Sequence, residues 1–166
     1  MKRIKFEDCK PILDIFISSV KSMFGVKIIS IAVFGSIARS NGTPESDIDL
    51  IVVYKGRRKD IEKKVVKVIL KLRETREYKD LEKSGFYPEI SPIFMSVQEL
   101  EKHPWILLDV VDHGIILQDS NSRLRNELKR MEERMTKFGS KKIKLSDGSW
   151  YWNLKPDLKV GEVFEL

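Results

Sequence analysis

Residues 34–52 read Phe-Gly-Ser-Ile-Ala-Arg-Ser-Asn-Gly-Thr-Pro-Glu-Ser-Asp-Ile-Asp-Leu-Ile-Val. The apolar, β-branched run 26–34 stops at Gly35-Ser36, and a second such run, 48–54, opens among acidic residues. Both predict buried strands. The connection 36–46 holds Asn41-Gly42 and Pro44, which leaves room for one helical turn before a loop. Side chains alternate along a strand, so Asp47 and Asp49 share one side while Ile48 and Leu50 face the other layer. The two carboxylates then stand about 6–7 Å apart at one edge of the sheet. Against a low-dielectric core they repel, and one would have to take up a proton. A divalent cation removes that conflict; Mg²⁺ binds one or two carboxylates, completing its shell with water and substrate phosphates. Gly35 permits close backbone approach, Ser36 offers a hydroxyl and an N–H, and the turn that follows opens with unpaired N–H groups. A polyphosphate could lie over Gly35-Ser36 with its metal on Asp47 and Asp49.

Outward from this stretch, 8–25 reads as a core-facing helix, with Asp8 as N-cap, Pro11 in the first turn and Gly25 as the stop. Ile12, Ile15, Phe16, Ser19, Val20 and Met23 form its inner face. Residues 60–81 carry Ile61, Val65, Val68, Ile69, Leu72 and Leu81 at helical spacing and predict one long helix with a charged outer face. The run 86–96 suits an edge or bulged strand, because Pro88 and Pro92 interrupt it. Two short helices, 97–102 and 104–112, a short strand at 115–117 and a charged amphipathic helix over 121–138 follow, the last closed by Gly139. Residues 140–166 show no clear periodicity, although they hold Trp150, Tyr151 and Trp152. The expected architecture is α/β: a short mixed sheet with helices packed mainly on one face, and the site where the first strand ends and the second starts.

The chain of 166 residues, 42% hydrophobic and 34% charged, is the size of one domain. No apolar run approaches the ~18 residues that span a bilayer, and the charged start MKRIKFEDCK lacks a signal-peptide core, so a cytoplasmic protein is expected. Cys9 is the only cysteine, which excludes an intrachain disulfide and a thiolate zinc cluster; a buried apolar role is expected for it. Lys and Arg total 31 against 25 Asp and Glu, and the net charge of +6 favours contact with phosphates. His103 and His113 lie beside Asp109 and Asp112 at no known ligand spacing and read as surface or capping residues. The basic clusters Arg57-Arg58-Lys59 and Lys141-Lys142-Ile143-Lys144 read either as solvated loops or as guides for an acceptor backbone. Trp150-Tyr151-Trp152 would either stack a base or pack the tail onto the core.

The pattern Gly-Ser, Ala-Arg, Ser-Asp-x-Asp-Leu, here GSIARSNGTPESDIDL over 35–50, resembles the nucleotidyltransferase superfamily that includes DNA polymerase beta. The likeness is to its small stand-alone members, the minimal nucleotidyltransferases. Their fold is implied for residues 1–139, with 140–166 as an aromatic tail packed on it; the segment from Gly148 to Asp157 is similar to the C-terminal segment of archaeal members. The resemblance implies Mg²⁺-dependent transfer of a nucleoside monophosphate, AMP from ATP being the plausible case, to an acceptor hydroxyl with release of pyrophosphate. It implies two Mg²⁺ ions, on Asp47, Asp49 and a third carboxylate from the next strand, where Glu89 is the only acid. Gly35 and Ser36 would hold the β- and γ-phosphates, while Arg39 would touch the triphosphate or brace the loop. The implied partners are a nucleoside triphosphate, an RNA or protein acceptor and, for members that act as antitoxins, a small all-helical toxin. That antitoxin role, with the site secondary or inactive, is the alternative function. An oligomer is compatible with the resemblance, and a membrane is not required. In one respect the chain departs from the pattern: members often have glycine after the arginine, where this chain has Ser40, with Gly42 two places later.

Overall fold

The computed structural model describes residues 2–165, so Met1 and Leu166, the outer ends of the two expected segments, lie outside the described residues. At its centre β1 (Ile28–Phe34) is buried along its whole length, between β2 (Ile48–Tyr54) and β4 (Ile115–Asp119), both antiparallel to it. The fourth strand, β3 (Ile90–Ser96), lies parallel to β2 at the edge, giving the order β3-β2-β1-β4. Alternation splits β2 between two cores. Ile48, Leu50, Val52 and Tyr54 join one; Ile51 and Val53 join the other, beside Ala32, Phe34 and Met95. Asp49 therefore shares its side of the sheet with Ile51 and Val53.

Helices α1 (Phe6–Phe24), α3 (Arg58–Leu72) and α4 (Arg76–Lys83) cover the first and larger core. Phe16 of α1 is completely buried there, an arrangement worth about 1.5–3 kcal/mol for such a side chain. The opposite face carries α5 (Val97–Leu100), α6 (Leu107–His113) and α7 (Arg123–Lys137), so helices cover both sides of the sheet. Between β1 and β2 lies the one-turn helix α2 (Gly35–Ala38).

Several boundaries differ from expectation. Helix α1 starts at Phe6 rather than Asp8: Asp8 is inside it and reaches back to accept from the Lys5 N–H at 2.9 Å, which caps the first turn from within. Pro11 consequently sits past the first turn, where its missing N–H leaves the carbonyl of exposed Glu7 to water. Residues 25–27 form a 3₁₀ turn, not the start of β1. The single helix expected over 60–81 is two helices. Thr75 interrupts it, its hydroxyl donating to the Leu72 carbonyl at 2.6 Å and accepting from the Tyr78 N–H at 3.3 Å. Strand β3 begins only at Ile90, after Pro88.

The aperiodic tail contains a hairpin, β5 (Lys141–Lys144) paired with β6 (Trp150–Asn153), and Trp152, Leu154 and Phe164 pack on the second core. His103 is no surface residue. It is buried, with Nε2 3.1 Å from a carboxylate oxygen of equally buried Glu127, which Arg130 also reaches at 3.0 Å. Cys9 is buried as expected, and burial pushes its thiol up to about 12. No helix among the described residues is long and apolar enough to cross a membrane.

Candidate active site

The end of β1 and the start of β2 meet because the antiparallel register pairs Phe34 with Asp49. Gly35 follows at φ +72°, in the left-handed region that disfavours a side chain. A Cβ placed there would lie 2.2 Å from Asp49 Oδ2, so the carboxylate rests directly against the glycine backbone. The first bond inside α2 runs from the Arg39 N–H to the Gly35 carbonyl at 3.2 Å; the N–H groups that open this turn have no partner within it. Gly35 and Asp49 are thus in direct contact, with Ser36 the next residue of α2.

Local hydrogen bonds fix the loop that delivers the acids. The Asn41 N–H returns to the Ser36 carbonyl at 3.1 Å, and Ile4 donates to the Gly42 carbonyl at 3.1 Å, tying the loop to the N-terminal segment. No room exists for a side chain at Gly42: a Cβ there would meet Ile37 and Ile4 at 2.7 and 2.8 Å. Ser46 closes a tight turn, donating from its N–H to the Thr43 carbonyl and accepting from the Thr43 N–H at 2.8 Å. Asp47 emerges from that turn, exposed, and Asp49 is half-buried. Ser40 adopts φ +56°, a conformation glycine would take without strain; serine holds the turn at a cost of about 1–2 kcal/mol.

Burial raises the Asp49 carboxyl above its ordinary value, and the Asp47 charge raises it further; Arg39 opposes both, and Asp109 adds to the rise. Asp47, Arg39 and Asp109 all lie within electrostatic reach of Asp49. Neither Asp47 nor Asp49 has an ion-pair or hydrogen-bond partner for its carboxylate among the described residues. Two acids within electrostatic reach of each other, neither held in an ion pair, are the donor set a hard divalent cation fits. No group of three or more potential ligands occurs among the described residues, so the chain offers a cation this pair, with the rest of its shell left to water and substrate oxygens.

Glu89 is not gathered with them. It precedes β3, its carbonyl accepts from the Ile48 N–H at 2.7 Å, and its carboxylate is held 2.5 Å from Arg73, just past the end of α3. Asp109 was missed as a site residue. It comes from α6, which packs against α2 and β1, and no spacing within the 34–52 stretch points to a residue sixty positions on; only the packing of the second face brings it near.

A strand, a glycine turn and a second strand presenting two acids define a nucleotidyl-transfer fold, and the chain belongs to the nucleotidyltransferase domain family, whose pattern it matches over residues 13–108. Among curated proteins it is similar to one from Methanocaldococcus jannaschii whose name assigns it, provisionally, to the protein adenylyltransferases, with 48% identity over 44 residues. That stretch is 26% of this chain, and the match spans 30% of the relative's length. Among solved structures, similarity extends to a toxin–antitoxin complex with AMP-PNP (14% identity, 75% of this chain and 90% of that chain, TM-score 0.41). It extends also to the Shewanella oneidensis complex of a tri-AMPylated HEPN toxin with its MNT antitoxin (15% identity, 74% and 87%, TM-score 0.37).

Proposed function

We propose that this chain transfers a nucleoside monophosphate, AMP from ATP, to an acceptor hydroxyl. The observation that carries the reading is the contact of the Asp49 carboxylate with the backbone of Gly35, where an added Cβ would stand 2.2 Å from Oδ2. It supports a patch where the Asp49 carboxylate and the open N–H groups of the α2 turn act together. The β- and γ-phosphates lie against Gly35 and Ser36, which donate from N–H and hydroxyl, and Arg39 offsets their charge. Mg²⁺, for which Asp47 and Asp49 are the ligands, supplies neutralisation of the triphosphate and of the charge that develops in transfer. The acceptor oxygen forms a bond to the α-phosphorus, the bond from that phosphorus to the bridging β-oxygen breaks, pyrophosphate departs and the hydroxyl proton passes to water. The protein's own contribution is position and electrostatics, which hold the reacting oxygen in line.

The adenine assignment draws on the name of the M. jannaschii relative. The experiment is thermal denaturation with and without Mg-ATP, followed by a pyrophosphate-release assay. Ligand at about 100 times Kd stabilises by ~2.7 kcal/mol, which for a chain of this size raises Tm by roughly 5–10 °C. Asp47→Asn combined with Asp49→Asn removes both the shift and pyrophosphate release. Absence of a shift in the parent protein at millimolar Mg-ATP refutes the reading.

A further inference from the structure

A cleft of about 770 Å³ opens between the loop that precedes α6, the C-terminal half of α7 and residues 158–165. Its volume is in the range of sites that enclose a small molecule. None of Gly35, Ser36, Arg39, Asp47 and Asp49 lines it, so the transfer reaction leaves it unused. His103 forms its inner wall, with Glu127 behind. The Glu127 carboxylate is approached from three sides, by His103 at 3.1 Å, Arg130 at 3.0 Å and Arg123 at 3.9 Å. His103 stands at φ +46°, a strained conformation for a residue with a side chain and one that recurs where ligands are clamped. Arg134 donates to His103 Nδ1 at 3.4 Å, so the ring donates from Nε2 to Glu127. The buried pair is thus a strut that fixes the Arg134 guanidinium on the cleft wall, with most of its N–H groups still open.

Charge decides what the cleft accepts. Two of the acids that line it are already engaged, Glu101 in an ion pair with Arg123 and Glu162 in one with Lys155. Its cations are not. Lys102 and Arg134 are exposed and have no ion-pair partner among the described residues, and the same holds for one remaining acid, Glu165. Trp105 adds a flat ring that is 71% exposed. Phe164, which meets Phe138 edge-on at 5.3 Å, gives the cleft an apolar back. A guanidinium fork beside an ammonium matches a phosphate, and a base stacks on an open indole. The free carboxylate of Glu165 accepts from ribose hydroxyls. Inorganic phosphate would leave the ring without a partner, and an uncharged nucleoside would leave the two cations without one.

We propose that this cleft is a second nucleotide site, separate from the Gly35–Asp49 patch, and that its ligand is a nucleoside monophosphate held without metal. The phosphate rests on Arg134 and Lys102, the base on Trp105 and the ribose against Glu165. Two cations offset the charge of a phosphate monoester, which is about −2 at neutral pH. A triphosphate carries more than they offset and needs the cation that the acid pair binds. His103 and Glu127 are positioning residues, since they act on the ligand through Arg134. The proposal does not depend on the transfer reading: a chain that transfers nothing would still hold this ligand.

The test is isothermal titration calorimetry of the full chain with AMP in EDTA, with tryptophan fluorescence followed in parallel. One AMP per chain is expected, with quenching that saturates in step with the heat. Trp105→Ala removes the quench and weakens binding roughly tenfold. Arg134→Gln weakens it by about tenfold or more, because a charge-assisted contact to phosphate is lost. Both side chains are exposed, and an unchanged Tm verifies that these variants fold. Glu127→Gln, measured where it is fully folded, narrows the ratio of AMP affinity to adenosine affinity, a readout that a merely structural residue would not move; an unmoved ratio overturns the strut. Asp47→Asn with Asp49→Asn leaves AMP affinity unchanged. No saturable heat at millimolar AMP, or binding that survives Trp105→Ala and Arg134→Gln but is lost with the two aspartates, overturns the site. Adenosine or inorganic phosphate binding as tightly as AMP overturns the ligand assignment. Any of these failures leaves the transfer reading standing, because its assay uses Mg²⁺ and the triphosphate.

Discussion

Replacing Gly35 by alanine is the sharpest test of the site's geometry. The new Cβ would start 2.2 Å from Asp49 Oδ2, against an ordinary contact of about 3.4 Å, so the carboxylate must retreat by about 1 Å or the turn must open. The backbone angle adds its own cost: at φ +72° an L-side chain loses about 1–2 kcal/mol. For a chain of this length such a loss lowers Tm by roughly 2–8 °C. Function should suffer more than stability, because a misplacement of ~1 Å in a reacting group costs on the order of 100-fold in rate. Denaturation curves and pyrophosphate release, measured on Gly35→Ala, Asp49→Ala and the double variant, separate the two costs. In the Asp49→Ala background the contact is gone and only the backbone cost remains, so the alanine at 35 should be better tolerated there. A single variant that keeps its Tm within 1 °C and its transfer rate would refute the close approach on which the proposed function depends.

Asp49→Asn, measured without divalent cation, should stabilise the protein at neutral pH. The folded-state carboxyl is raised above its value of 3.8, so its ionisation opposes folding; the penalty is complete above the raised value, fades as pH falls through it and is absent below about 3.8. The stabilisation should vanish over that acidic window, and one that persists unchanged to pH 3 would contradict the cause. Glu127→Gln should lower stability by roughly 1–3 kcal/mol, because it weakens the hydrogen bonds of a buried carboxylate that His103 and Arg130 approach at 3.1 and 3.0 Å. A Tm drop below ~2 °C in that variant would show the pair to be dispensable.

What could be read in the sequence depended on how local the cause was. The strand, glycine turn and second strand were legible because the alternation that aims Asp49 and the glycine that receives it are separated by one short loop. The break at Thr75 was not. Residues 73–76 carry no proline or glycine, and the helix ends because a threonine hydroxyl competes for the Leu72 carbonyl. The hairpin carried a usable signal in Asp147-Gly148, with Gly148 at φ +86°, but the lysine-rich strand before it shows no apolar alternation. The burial of His103 had no sequence signal at all, since it lies in a loop and its partner Glu127 is on α7. Asp109 was invisible for the same reason.

That last residue bears on the third carboxylate. In the parallel register of β2 with β3, the residue beside Asp49 is Ser91, so the sheet offers a hydroxyl there and no third acid. Glu89 lies outside the strand, with its carboxylate on Arg73 at the surface, and a pair of that kind contributes about 0–1 kcal/mol. Besides Asp47, the acid within electrostatic reach of Asp49 is Asp109 on α6, which packs over Asp49's own side of the sheet. Removing each of the two in turn distinguishes a sheet-borne from a helix-borne source of negative charge. Asp109→Asn should raise the Mg²⁺ concentration needed for half-maximal Mg-ATP stabilisation several-fold, because it withdraws negative charge from beside the pair that binds the cation. Glu89→Gln should leave that concentration unchanged. The reverse outcome would mean that Glu89 leaves Arg73 when nucleotide binds, and that β3 supplies the third carboxylate after all.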